Sequence, residues 1–170
     1  QLKAFKKKPI LFVMMNDTKE ADEVGDWLKT KYPTEFGGDK TLIIHTDKSG
    51  EVSKKDLDNA RRLAHDVDTG ESPVNAIVSV LMLREGWDVP AVGVILLLRK
   101  FSSRVYGQQV IGRGLRRVRK KDVGEEEPQI CAVVDHPKLE HQWLWDMFGS
   151  KVRERVSVDD QFDEEEDLPP

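Results

Sequence analysis

A single cysteine, Cys131, stands in 170 residues. No disulfide can form within the chain, and a reducing compartment, the cytoplasm, is the expected setting. No apolar run approaches the ~20 residues that cross a bilayer, and the opening QLKAFKKKP has no apolar signal-peptide core. No membrane association is expected. The four histidines, His45, His65, His136 and His141, never reach the i, i+4 or short-loop spacing of a zinc site, and a lone thiol cannot complete one. No metal ligand is expected from this chain. A serine nucleophile has no support either, since no GxSxG turn is present.

Two stretches imitate nucleotide-binding signatures and fall short of them. GGDKT (37–41) has Asp39 between glycine and lysine, lacks the earlier glycine, and precedes a strand where a phosphate loop would follow one. DEEED (163–167) has no apolar strand before it to hold carboxylates around magnesium. Nothing else in the chain can cradle a triphosphate. No repeat recurs at a fixed period. The chain opens on Gln1 in place of Met, and it is expected to be a piece of something longer.

What is present is a segregated charge. The net of −4 hides a terminal stretch, DDQFDEEEDLPP (159–170), with seven acids and no base. The remainder has 24 acids against 27 bases, a net of +3. Six cations fall within 113–121. The organisation expected is one folded domain over 1–150, followed by an acidic tail over 151–170 whose composition gives it no core to join.

Along the chain, short apolar runs alternate with helical periodicity. PILFVMM (9–15), KTLIIHT (40–46), NAIVSVL (75–81), VGVILLL (92–98) and QICAVVD (129–135) read as strands, most of them apolar enough to be covered on both faces. Asp17 and Glu20 stand at capping-box spacing ahead of a helix whose apolar stripe is Ala21, Val24 and Leu28. Residues 53–67 read as a second helix, 107–121 as a third and 138–148 as a closing one. The link across 82–91 has no helical pattern. Strands alternating with helices predict an α/β domain of three layers, a mainly parallel sheet with helices on both faces. In such folds ligands gather at the carboxyl ends of the strands, here the loops 16–18, 46–52, 81–91, 99–105 and 135–137.

Two stretches near those ends carry chemistry. In LREGWDVP (83–90), Gly86 opens access to the backbone, Trp87 offers a flat face, and Asp88 places a carboxylate able to accept hydrogen bonds from sugar hydroxyls. A turn with a core tryptophan would explain the same residues. In GQQVIGRGLRRVRKK (107–121), Gln109, Arg113 and Arg116 fall on one side of a helix, while Val110, Ile111 and Leu115 supply apolar contact. Gly112 and Gly114 each cost up to ~1 kcal/mol in a helix interior, a cost that fits close approach to the backbone. Two planar guanidinium groups on one face suit polyphosphate oxygens.

The run Gln109–Val110–Ile111–Gly112–Arg113–Gly114–Leu115–Arg116 resembles the QxxGRxxR motif of superfamily 2 helicases and translocases, and REGWDVP resembles the motif one strand earlier. The wording is most similar to the Res subunit of type III restriction enzymes, with the excision-repair helicases a near second. PILFVMMNDTKEADEV looks like the opening of the second motor domain of those proteins. The resemblance covers about residues 8 to 135. It implies the second of two RecA-like (P-loop NTPase-type) domains, without the triphosphate loop, magnesium box or nuclease motif of its neighbours.

Under that resemblance Arg116 is the finger on the γ-phosphate, Arg113 its partner, and Gln109 a polar contact to phosphate or attacking water. Asp88 would hold the ribose, with Gly86 and Gly112 lining the cleft. Ser79 would lie near a nucleic-acid backbone. Arg117 and Arg119, with Lys120 and Lys121, either join that track or form a solvated continuation. The cofactor implied is ATP with Mg2+, held mainly by a first RecA-like domain. The partners implied are DNA, with RNA open, that first domain, and a modification subunit. A non-catalytic nucleic-acid-binding or adaptor module is the rival. Arg116, Arg113, Gln109 and Asp88 together argue against it, because diffuse charge suffices for binding alone.

Overall fold

The five apolar runs become five strands of one parallel sheet. The computed structural model describes residues 8–45, 58, 59, 62, 66, 72–80, 92–101, 103–114 and 130–147. Its strands are β1 (Ile10–Met14), β2 (Thr41–Ile44), β3 (Ala76–Ser79), β4 (Val92–Leu97) and β5 (Ala132–Asp135). They lie in the order β2-β3-β1-β4-β5, with β1 at the centre between β3 and β4. Helix α1 (Thr18–Lys31) leads through the short α2 (Pro33–Phe36) to β2, and helix α3 (Arg104–Gly114) follows β4. Residues 58, 59, 62 and 66, inside the second expected helix, are helical, as are residues 142–147.

Alternation along each strand sorts the core into two layers. Ile10, Phe12 and Met14 of β1 join Ile77, Ile95, Leu97, Ile111 of α3 and Leu144 on one face. Val13 and Met15 join Ala76, Val78, Val80 and, from α1, Ala21 and Leu28 on the other. Helices thus cover both faces, giving an α/β fold of the three-layer RecA-like type. Phe12 is fully buried, as is its strand neighbour Val13 on the opposite face, which is why the sequence of β1 shows no polar alternation. Burial of each such side chain contributes roughly 1.5–3 kcal/mol.

The start of α1 is set locally. Asp17 takes an extended conformation and its Oδ1 accepts from Glu20 N at 2.9 Å. The reciprocal bond falls one residue earlier than a capping box requires: Glu20 Oε2 accepts from Asn16 N, at 3.2 Å. Lys29 and Lys31 stand in the last turn, where cations suit the helix dipole. GGDKT forms a 3-10 turn at Gly38–Lys40 that leads into β2, an ordinary loop.

Two elements differ from expectation. Helix α3 begins at Arg104, three residues before the start expected at 107. The closing helix does not begin at 138. Pro137–Leu139 make a single 3-10 turn, Glu140 takes the left-handed conformation (φ 58°, ψ 41°), and helical residues resume at 142. A left-handed residue cannot continue a helix. The boundary expected at 150 and 151 lies outside the described residues.

Candidate functional site

β1 and β4 are neighbours whose following helices cover opposite faces of the sheet, the arrangement that opens a crevice at the strands' carboxyl ends. Asn16 and Asp17 follow β1 there, and Arg99 and Lys100 follow β4. The N-terminus of α1 points to this edge, yet the carboxylates of Asp17 and Glu20 already take Glu20 N and Asn16 N. A phosphate placed there would meet two negative charges before it met the helix dipole. Beside them, at the end of β2, His45 Nε2 lies 2.7 Å from Asp22 Oδ1, both about half exposed.

Helix α3 begins where Ser103 Oγ accepts from Tyr106 N at 3.2 Å. Its inner face is Gly107 and Ile111, one helical turn apart and both buried. A Cβ on Gly107 would come 2.7 Å from Trp143 Cη2 and 3.2 Å from Phe101 Cδ2, so only a glycine allows this approach. Gln109 and Gly112 face outward, and a Cβ on Gly112 would meet no atom within 4 Å. A ligand can therefore reach the α3 backbone at Gly112 without displacing any part of the fold described.

Other expected site residues are placed unevenly. The backbone of Arg113 belongs to α3, next to Gly112. Arg116, Arg117, Arg119, Gly86 and Asp88 lie outside the described residues, as do Leu115 and the acidic tail. Ser79 ends β3 with no exposed surface, so its side chain faces no solvent in this conformation. The structure thus brings Gln109 and Gly112 to one outer face, with the Arg113 backbone next along the helix and Ser79 buried in the sheet.

A second set of residues escaped the motif reading. The Arg99 guanidinium lies 5.6 Å from the ring centre of Tyr106, and its Nη1 donates to the Val80 carbonyl. Tyr106 packs edge-on against Phe101 with centroids 5.9 Å apart, and Phe101 stacks on His141 at 4.9 Å. His141 is buried, and its Nδ1 lies 3.3 Å from Asp135 Oδ2, which also accepts from Trp145 Nε1 at 3.1 Å. Neither ring nitrogen of His141 completes a hydrogen bond among the described residues. The sequence signal was the polar pair Arg99–Lys100 directly after an apolar strand, inside a loop already marked for its position.

Lys100 bonds to Glu140, and that hydrogen bond, then its charge, holds the Glu140 carboxyl below the usual range. Burial pushes the Cys131 thiol up, which keeps it protonated and a poor nucleophile. Among the described residues no three His, Cys, Asp or Glu side chains are grouped to hold a metal ion. A cavity of about 390 Å³, lined by Lys29, Asp39, Arg62, Asp66 and Ser72, opens at the other end of the strands. At its rim Lys8 Nζ donates to the Pro73 carbonyl at 2.7 Å, and burial, with Lys40 adding repulsion, pushes the Lys8 ammonium down. No helix among the described residues is long and apolar enough to cross a membrane.

No protein-family model matches this sequence, and no curated protein matches it.

Proposed function

We propose that this chain is the second motor domain of an ATP-dependent DNA helicase or translocase, of the kind found in type III restriction Res subunits. The observation that supports it is the position of the QVIGRGLR run. It starts on the outer face of the helix that follows β4, in a parallel sheet with β1 at its centre, and its first glycine is open to approach. A helix there for packing alone would have no use for an open glycine between Ile111 and Arg113.

ATP supplies the phosphoryl group and Mg2+ the counter-charge, both held mainly by a first RecA-like domain. This chain's part is positional and electrostatic. Arg116 and Arg113 meet the charge that builds on the transferred group, and Gln109 orients phosphate or attacking water. Asp88 and Gly86 hold the ribose side of the cleft. Contact of Ser79 with nucleic acid belongs to the same proposal and requires its buried side chain to become accessible.

The test is substitution in the complete motor. Arg116→Ala is expected to lower nucleic-acid-stimulated ATP hydrolysis by ~10³–10⁵, the worth of a trans-acting arginine finger. Its thermal midpoint should barely move, because an arginine whose part is to meet a phosphate contributes only a few tenths of a kcal/mol to folding. Arg119→Ala, outside the motif, should hydrolyse ATP near normally and lose salt-dependent binding. Equal small losses in the two variants would leave a generic basic face and favour the adaptor module.

A further inference from the structure

β3 and β4 are not neighbours. β1 lies between them, so their ends stand two strand spacings apart, about 9–10 Å. One side chain crosses that interval. Leu98 N still donates to the Met14 carbonyl at 2.9 Å, so the chain leaves the sheet only at Arg99. From there Nη1 reaches the Val80 carbonyl, immediately beyond the last residue of β3, while the guanidinium lies over the Tyr106 ring in the first turn of α3. No carboxylate lies within ion-pair distance of Arg99 among the described residues, so a plain salt bridge does not account for its position. A guanidinium can donate along its edge and meet an aromatic ring at once; a lysine ammonium has no such pair of faces.

The ring that receives it is itself anchored. Tyr106 packs on Phe101, Phe101 on the buried His141, and the next residue, Gly107, lies against Trp143. The first turn of α3 therefore sits on an aromatic bed, and Arg99 links that bed to the end of β3. What is linked is the end of β3 and the helix whose outer face carries Gln109, one turn along from Tyr106, and Gly112.

We propose that Arg99 is a positioning residue, clamping the end of β3 to the first turn of α3 and so fixing where the outer face of α3, with Gln109 and Gly112, stands at the sheet's edge. Its catalytic consequence rests on the motor reading above; the clamp itself rests on the geometry alone.

The experiment uses Arg99→Ala, Tyr106→Leu, their double variant and Tyr106→Phe in the complete motor, with Arg116→Ala alongside. Arg99→Ala and Tyr106→Leu are each expected to lower kcat about 10- to 100-fold, the cost of a small misplacement. KM for ATP should change less than about threefold, since the lost interaction is felt mainly in the transition state. The double variant should fall no further than the worse single, as expected for partners in one contact. Tyr106→Phe, which keeps the ring, should retain activity. Full kcat in Arg99→Ala while Arg116→Ala is inactive would overturn the clamp and spare the motor reading, and simply additive losses would overturn it too. If Arg116→Ala is itself fully active, the motor reading fails, and the clamp is judged by hydrogen exchange in this 170-residue chain. There Arg99→Ala should speed exchange of the α3 amides at least about tenfold by freeing the first turn. Unchanged exchange would overturn the clamp.

Discussion

Gly107 and Gly112 share one helix and one residue type, and their surroundings separate them. Gly107 faces inward, where an added methyl would collide with Trp143 and Phe101. Gly107→Ala is therefore expected to destabilise the fold by about 1–3 kcal/mol through overpacking, measured as a lower urea midpoint. Among the described residues nothing lies within reach of a methyl at Gly112, so Gly112→Ala should hold or raise stability, by up to about 1 kcal/mol from helix propensity. Under the motor reading proposed above, the same methyl would stand on the cleft wall, and ATP hydrolysis by the complete protein should fall. A variant more stable and still fully active would show that nothing approaches the backbone there. The cost of Gly112 in a helix was readable from the sequence. The purpose of Gly107 was not, because Trp143 becomes its neighbour only once the chain has folded.

At the scale of elements, the turn between β5 and the helical residues 142–147 depends on a contact that sequence spacing does not reveal. Glu140, left-handed after a 3-10 turn, pairs with Lys100 from the loop after β4. Lys100 holds the Glu140 carboxyl low, so the folded chain binds that proton less tightly than the unfolded chain. The contribution of the pair is complete above the ordinary glutamate range and is lost as pH falls through the lowered value. The thermal midpoint of Glu140→Gln should therefore decline less between neutral and acid pH than that of the wild type. The difference should shrink in high salt, because both groups are exposed. Parallel acid limbs for the two proteins would remove this contact from the stability of the turn. The α1 start, by contrast, was legible in Asp17 and Glu20, since capping joins residues three apart.

At the scale of the whole molecule, the first helix leaves little room for a phosphate. The helix end nearest the switch point is capped by its own carboxylates, so the chain alone is expected to show no ATP turnover. Turnover that survives removal of contaminating ATPases would end the two-domain reading. Binding of nucleic acid by the chain should be weak, independent of sequence and steep in salt, each neutralised phosphate adding ~0.7–0.9 to the log–log slope. Deleting 159–170, which carry seven of the acids, should strengthen that binding modestly if the tail competes for the basic segment 113–121, and leave it unchanged if the tail is merely solvated. Sequence-specific binding that persists in high salt would contradict a motor domain.

The sequence by itself determined the kind of fold and its punctuation. All five apolar runs became strands, the stripe after Asp17 became the helix Thr18–Lys31, and the run read as helical from 107 lies on a helix that begins three residues earlier, at Arg104. Burial on both faces demands a continuous apolar run, and burial on one face demands a helical stripe, so each choice is written within a dozen residues. Gln109 on the outer side of α3, with Ile111 on the inner, was legible for the same reason: a helix sorts neighbouring residues to opposite sides. Only the tertiary structure decided that β3 separates β1 from β2, since every strand offers similar edges and no local pattern selects the partner. It alone assembled Arg99, Tyr106, Phe101, His141 and Asp135 at one end of the sheet. Those contacts join two loops, a helix and an edge strand. Such contacts leave no periodic trace, because the chain between them is free to be of any length and kind.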